Sequence, residues 1–297
     1  MPPTEAPMTF SGLMTALVTP FKDGAVDEST FRALVRRQIE GGVQGLVPCG
    51  TTGEAPTLTV DEQLSIVRWT LEEANGAVPV MAGIGSNSTA KAVEMGRRVE
   101  ALGVQGVLAT APYYNKPTQE GLFLHFQAIA EAVSVGVCLY DVPGRSVVHI
   151  APRTVARLAT IDNIIALKDA TGDLANATDV RRRCGSDLAL LSGDDFTSMA
   201  FLVQGGNGVI SVASNVCPIQ MRAMVDAAVQ GQLDSARQLN EQLFPLFRDL
   251  FIESNPIPLK AAMAHLGLLE DGLRLPLTPM SDGLRGGLIE TLDRLPV

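Results

Sequence analysis

Histidine, lysine and aromatic residues are all scarce in this sequence, and the scarcity excludes several chemistries. Among 297 residues there are three histidines, His125, His149 and His265, and no two are spaced as a ligand pair. A catalytic zinc centre draws several histidines, carboxylates or thiolates to one place. Asp194-Asp195 supplies two adjacent acids without a third ligand, which is thin ground for magnesium. No metal and no cofactor is therefore expected. The four cysteines, Cys49, Cys138, Cys184 and Cys217, lack CxxC spacing and give no sign of a disulfide framework. Cys49 has no sequence-adjacent base and reads as a small buried thiol.

Positive charge is also short: 23 Lys and Arg stand against 32 Asp and Glu, a net −9. Phosphate-rich partners attract basic surfaces, so neither nucleic acid nor an anionic membrane is an expected partner. Arg181-Arg182-Arg183 is the one basic run and reads as a solvated helix end. No apolar run approaches the ~18 residues of a spanning helix. The first residues show no basic stretch followed by an apolar one, so no secretory signal is expected. The expectation is a soluble cytoplasmic protein.

What is present is a repeated alternation. Eight apolar or small-residue segments read as buried strands: Met14–Pro20, Gly45–Gly50, Pro79–Gly85, Gly106–Tyr114, Gly136–Pro143, Ile164–Ala170, Leu188–Asp195 and Gly208–Ser214. They start about 20 to 35 residues apart, with helical stretches between, as βα units require. Continuous apolar strands imply a parallel sheet covered on both faces. Thr59-Val60-Asp61-Glu62 fits a capping box opening a helix toward Asn75. Gly41, Gly103, Gly185 and Gly205 stand where glycine ends helices. Gly42-Val43-Gln44-Gly45, Gly103-Val104-Gln105-Gly106 and Gly205-Gly206-Asn207-Gly208 form a weak repeat, each leading into a strand. Eight units without a dinucleotide fingerprint favour an α/β fold of the (β/α)8 TIM-barrel type over an open sheet. The barrel is expected over residues 1–224, and a C-terminal helical region over 225–297, with a break at Asn255-Pro256-Ile257-Pro258.

Active sites of such barrels lie at the C-terminal strand ends. The polar residues expected there are Thr51-Thr52-Gly53-Glu54, Tyr113-Tyr114, Tyr140 with Arg145, Lys168-Asp169, Gly193-Asp194-Asp195 and Ser211. Of the five lysines, Lys22, Lys91, Lys116 and Lys260 fall in loops or on helices and read as solvated. Lys168 ends the apolar run Ile164-Ile165-Ala166-Leu167, where lysine is unusual. It is either a partner of Asp169 or a nucleophile. An imine requires a neutral amine, and desolvation disfavours an ammonium. Gly50-Thr51-Thr52-Gly53-Glu54 can hold a small carboxylate, or be an ordinary βα loop. Tyr140 either packs with one hydrogen bond or moves protons near an imine.

Gly50-Thr51-Thr52-Gly53-Glu54, Pro112-Tyr113-Tyr114-Asn115-Lys116-Pro117, Tyr140-Asp141-Val142-Pro143-Gly144-Arg145, Lys168-Asp169-Ala170-Thr171-Gly172, Ser192-Gly193-Asp194-Asp195 and Gly208-Val209-Ile210-Ser211-Val212 occur in that order. Together, from about Phe10 to Pro279, they resemble the dihydrodipicolinate synthase/N-acetylneuraminate lyase family. The resemblance implies a lysine-imine lyase in which Lys168 binds pyruvate and Tyr140 transfers protons. Tyr140 would be linked through the Thr51 hydroxyl to Tyr114, which reaches across from a neighbouring subunit. It further implies a homo-oligomer, a tetramer built as a dimer of dimers. Thr52 and Ile210 would hold pyruvate, with Gly193 counted among the substrate-binding residues. Arg145 would clamp the carboxylate of aspartate semialdehyde, which fits the amino-acid-biosynthetic branch rather than the sugar-acid lyases. Two departures stand out: Asp141 in place of the usual asparagine, and Val147-Val148 in place of a threonine-glycine pair. The first would bear on the Tyr140 phenol, the second on the placing of Arg145.

Two alternatives stay open, a pyruvate lyase acting on a keto sugar acid and a non-catalytic carboxylate-binding barrel. The resemblance also bears on feedback by L-lysine. Inhibited members bind it near segments matching Ala55–Gln63, Asn87–Lys91 and Tyr113. Lys91 stands here in place of a glutamate, and Val60 and Gln63 replace histidines, so insensitivity to L-lysine is expected.

Overall fold

The computed structural model describes residues 10–295. Eight parallel strands occupy its centre: β1 (Gly12–Ala16), β2 (Gly45–Val47), β3 (Met81–Gly83), β4 (Gly106–Thr110), β5 (Gly136–Asp141), β6 (Ile164–Asp169), β7 (Ala189–Ser192) and β8 (Gly208–Ser211). Their order is β2-β1-β8-β7-β6-β5-β4-β3, and a parallel bridge from Leu46 to Val80 closes the seam. The sheet is the TIM barrel that the alternation predicts. Each expected segment overlaps one strand and runs past its C-terminal end, because the apolar burial continues into the loops at the barrel mouth after the ladder stops. A small antiparallel hairpin, Phe21–Lys22 with Ala25–Val26, is an addition that the alternation did not predict.

The outer ring is α1 (Glu28–Glu40), α2 (Val60–Ala74), α3 (Thr89–Glu100), α4 (Gln119–Ala132), α5 (Pro152–Leu158), α6 (Leu174–Cys184), α7 (Ser198–Val203) and α8 (Pro218–Val229). Strand residues alternate between two apolar surfaces, which is why their runs look continuous in sequence. Leu13, Leu46, Val107, Val137, Leu139 and Leu167 belong to the large cluster shared with the helices. Met14, Val47, Met81, Leu108, Cys138 and Ala166 fill the barrel interior.

The glycine joints have a physical function. In each, one residue binds the backbone of the preceding strand segment at two points, through its own backbone N–H and its side-chain carbonyl oxygen. The Gln44 N–H donates to Leu13 O and its Oε1 accepts from Leu13 N–H at 3.0 Å. Gln105 does the same to Val80, accepting at 2.9 Å, and Asn207 to Leu190, accepting at 2.8 Å. A buried strand start thereby loses none of its backbone hydrogen bonds. Thr59 and Glu62 make both bonds of the expected capping box, and Asn75 ends α2 in the left-handed region. Gly103, Gly185 and Gly205 have positive φ, and Gly41 is the C-cap of α1 as expected, in the right-handed region, with the left-handed turn at Gly42 (φ 80°) after it. Arg181 is not a solvated member of its basic run. Its guanidinium bonds the carbonyls of Gly185, Leu188 and Gly205 and the Asn207 side chain, tying α6 to the joint before β8.

The C-terminal helices are α9 (Leu233–Asp249), α10 (Ile257–His265) and α11 (Asp282–Arg294). The helical stretch read as one from Val225 to Glu253 is in fact the end of α8 and then α9, divided at Gly231 with φ 74°. Among the described residues no helix is long and apolar enough to cross a membrane.

Candidate active site

Lys168 and Tyr140 are next to last in β6 and β5, and register partners across that pair. Their shared parity points both into the barrel. Lys168 is 6% exposed, and its Nζ lies 4.2 Å from the centroid of the Tyr140 ring. Leu191, Ala166 and Ile210 make the surrounding interior apolar. Gly193 continues β7 beside the lysine stem: a Cβ there would stand 2.8 Å from Lys168 Cε. Any side chain at 193 would displace the amine, so glycine is what leaves it room.

Asp169 points the other way, toward the helices. Its carboxylate accepts from the Thr171 N–H (2.8 Å) and hydroxyl (2.6 Å) and from Asn176 Nδ2 (3.0 Å). Strand alternation thus removes the Lys168–Asp169 ion pair. The same alternation corrects the reading of Asp141. Its carboxylate faces away from the Tyr140 phenol and pairs with His149 Nδ1 at 2.6 Å.

The loop after β2 brings in the threonines. Thr52 is buried, and its hydroxyl accepts from Asn255 Nδ2 at 3.0 Å. Thr51 borders a cleft of about 590 Å³ that it shares with Thr110, Tyr113, Arg145 and Lys91. Lys168 and Tyr140 are not on that lining. Arg145 is exposed and donates through Nη2 to Asn255 O at 3.1 Å. Tyr114 is 86% exposed with φ 74°, and within the single chain it stands clear of Thr51 and Tyr140. No hydrogen bond joins these three hydroxyls among the described residues. Burial pushes the Cys49 thiol up to about 12, which suits a packed thiol rather than a nucleophile.

Sequence reasoning missed the residues that hold the loop after β2. Lys260, expected on a solvated surface, is wholly buried and pairs with Glu54 of that loop. The same ammonium donates to Gly272 O at 2.7 Å and lies 4.1 Å from the Phe21 ring centroid. Arg274 adds its backbone N–H to Glu54 at 3.2 Å and its guanidinium to Glu62 at 2.5 Å. Asn255, with one hydrogen bond to Thr52 and one from Arg145, links two candidate substrate-binding groups. One signal was available: Lys260 interrupts the apolar helix Ile257–His265 much as Lys168 ends an apolar strand.

Known proteins match this architecture along nearly its full length. The pattern of the dihydrodipicolinate synthetase family spans residues 9–294. A 4-hydroxy-tetrahydrodipicolinate synthase of Pelobacter propionicus is 50% identical over 94% of this chain and 96% of its own. The chloride-inhibited dihydrodipicolinate synthase of Acinetobacter baumannii, solved in complex with pyruvate, superposes with a TM-score of 0.95 at 41% identity, covering 96% of this chain and 99% of its own. The enzyme of Cyanidioschyzon merolae, solved with lysine bound, gives 0.93 at 38% identity, covering 96% and 98%. With half its residues shared with one such synthase and its barrel superposing on others, this chain belongs to the dihydrodipicolinate synthetase family.

Proposed function

We propose that this enzyme condenses pyruvate with aspartate 4-semialdehyde through a lysine imine, giving 4-hydroxy-tetrahydrodipicolinate, the product named in its relatives. The observation that carries the reading is the enclosed amine of Lys168 against the Tyr140 ring, with Thr51 and Arg145 together on the wall of one cleft. Lys168 attacks the pyruvate ketone and expels water as the imine forms. Loss of a C3 proton gives the enamine, which adds to the aldehyde carbon. The amine of the second substrate then closes the ring on the imine carbon and releases Lys168. Tyr140 is the proton carrier, assisted by Thr51 and by Tyr114 from a neighbouring subunit. Its 86% exposure leaves Tyr114 free to reach outward, and a dimer-of-dimers tetramer acting in the cytoplasm accords with that. Thr52, Ile210 and Gly193 surround pyruvate. Borohydride reduction with pyruvate, followed by peptide mapping, should add one pyruvate-derived group to the peptide holding Lys168. Turnover should require aspartate semialdehyde and fail with sugar aldehydes; turnover of sugar aldehydes alone would favour a keto-sugar-acid lyase instead.

Arg145 supplies the discriminating contact. A guanidinium can hold a carboxylate by two parallel bonds. Truncating one partner of such a pair costs on the order of 2–5 kcal/mol, and the exposure of Arg145 places it at the low end. Arg145→Ala should therefore lower kcat/KM for the aldehyde about 30-fold while leaving pyruvate trapping intact. An unchanged specificity constant would remove Arg145 from the site.

L-Lysine should not inhibit. Lys91, in the first turn of α3, lines the cleft together with Glu94 and Arg98. Glu94, an acid near enough on the same helix to offset Lys91, is engaged by Arg98 at 2.8 Å. The Gln63 amide is likewise committed, to the carbonyls of Ala55 and Leu58. At ~4 Å near a surface a like charge is worth up to about 4 kcal/mol before screening, opposing a diamino acid's side chain. Initial rates should be the same with and without millimolar L-lysine, and partial inhibition below millimolar would show that Lys91 turns away from the ligand.

A further inference from the structure

Arg145 rides on residues 142–149, and one buried carboxylate brackets that loop. Asp141, the last residue of β5, is 1% exposed. Its Oδ2 pairs with His149 Nδ1 at 2.6 Å and its Oδ1 accepts from the Ile150 N–H at 3.2 Å. Within the bracket the Ser146 hydroxyl reaches the carbonyls of Val142 (3.0 Å) and Val148 (2.7 Å). Val147 sits at φ 66°, in the left-handed region. For a β-branched residue that conformation costs about 1–3 kcal/mol and persists only where neighbours over-determine it. Among the described residues the Arg145 guanidinium makes one hydrogen bond, to Asn255 O. Its aim is therefore set largely by the loop beneath it.

We propose that Asp141 and His149 form a clasp that positions Arg145, tightest when His149 is protonated. The inference rests on the reading of Arg145 as the carboxylate clamp for the aldehyde. An asparagine at 141 would keep the Ile150 bond but lose the charge. Asp141 thus turns a neutral bracket into an ionic one, and charge-assisted hydrogen bonds are roughly twice as strong. The groups facing His149 are acidic: Asp141, Asp169 at the end of β6, and Asp173 at the start of α6. From α4 it meets the neutral Gln119, which donates to the His149 carbonyl at 2.7 Å. The Asp141 hydrogen bond raises the His149 imidazole above its ordinary value, against the effect of partial burial. Burial pushes Asp141 up from the usual carboxylate value, with His149 pulling the other way.

The sign follows from these directions. The ionic clasp needs Asp141 ionised and His149 protonated, so it is lost as pH falls through the raised value of Asp141 and slackens as pH rises through the raised value of His149. KM for the aldehyde should then rise with pH while KM for pyruvate does not. The test measures kcat and both KM values between pH ~6 and ~9 for the wild type, Asp141→Asn, His149→Gln and Arg145→Ala. Titration of the substrate's own amine is common to all four and cancels in the comparison. The wild-type KM for the aldehyde should climb about 3- to 10-fold across the range, the span expected when a charged hydrogen bond becomes a neutral one. In Asp141→Asn and His149→Gln it should be high throughout and without the climb, with KM for pyruvate within about twofold of wild type. His149→Gln changes a partly exposed residue and keeps the test decisive if Asp141→Asn does not fold. A flat wild-type profile, or either clasp variant with the wild-type profile, overturns the clasp. If Arg145→Ala keeps the wild-type KM for the aldehyde, the reading beneath it fails instead.

Discussion

Lys168→Ala should take up no pyruvate under borohydride and should keep less than about a thousandth of the wild-type kcat/KM, a loss of ~4 kcal/mol in transition-state stabilisation. The expectation follows from what the barrel does to this amine. Lys168 is held among Tyr140, Leu191 and the backbone of Gly193, and among the described residues it makes no ion pair. A lysine amine enclosed in this way can serve as the nucleophile toward a ketone. Alanine removes the proposed nucleophile and leaves the proposed substrate-binding residues with nothing to activate. Two of the remaining lysines are already paired. Lys260 is committed to Glu54 and Gly272, and Lys22 is held at the surface by Glu270 at 2.9 Å. Circular dichroism and the oligomer size of the variant should match wild type, which separates lost chemistry from lost fold. Pyruvate-derived mass on any other lysine, or near-normal turnover, would take the imine away from Lys168.

The barrel was readable in the sequence because its signal is repeated. Eight βα units each carry the same alternation, and three of the joints repeat one amide chemistry at Gln44, Gln105 and Asn207. The inward residues at strand ends were readable for the same reason: period 2 fixes which neighbour of Lys168 shares its face, and it is Tyr140 across the ladder rather than Asp169 beside it. What stayed hidden depended on contacts between segments far apart in the chain. Thr52 and Asn255 are 203 residues apart, and no local pattern pairs them. The direction of Asp141 was legible in principle, since alternation turns it away from Tyr140, but its partner His149 lies across an irregular loop whose path only the fold determines. Lys260 was misread because a helix surface is the usual place for lysine, while the buried acid that neutralises it lies in a loop some 200 residues earlier.

Lys260→Met should destabilise the protein by about 3–5 kcal/mol, the range seen when one member of a buried ion pair is removed. Lys260 is 0% exposed and Glu54 2%. Burial lowers Lys260 from the ordinary lysine value, with the charge of Glu54 opposing that shift. Without the ammonium, Glu54 would remain as an enclosed carboxylate whose remaining polar support is the Arg274 N–H. It would then draw in water or move, and either would loosen the turn that presents Thr51 and Thr52. Stability and activity should therefore fall together, the second beyond what the unfolded fraction accounts for. Urea unfolding at neutral pH measures the first effect; kcat/KM of the folded fraction, well below the transition, measures the second. The double variant Glu54→Gln with Lys260→Met distinguishes the charge from the packing. Replacing both members of a buried pair is often close to neutral, so the double variant should regain most of the stability lost in Lys260→Met. If Lys260→Met alone loses less than about 1 kcal/mol, Glu54 has found another partner and the pair is not what holds the loop. If the double variant regains stability but not activity, the pair's contribution is the exact placing of the threonines, since a neutral amide at 54 would fold the turn without fixing it against α10.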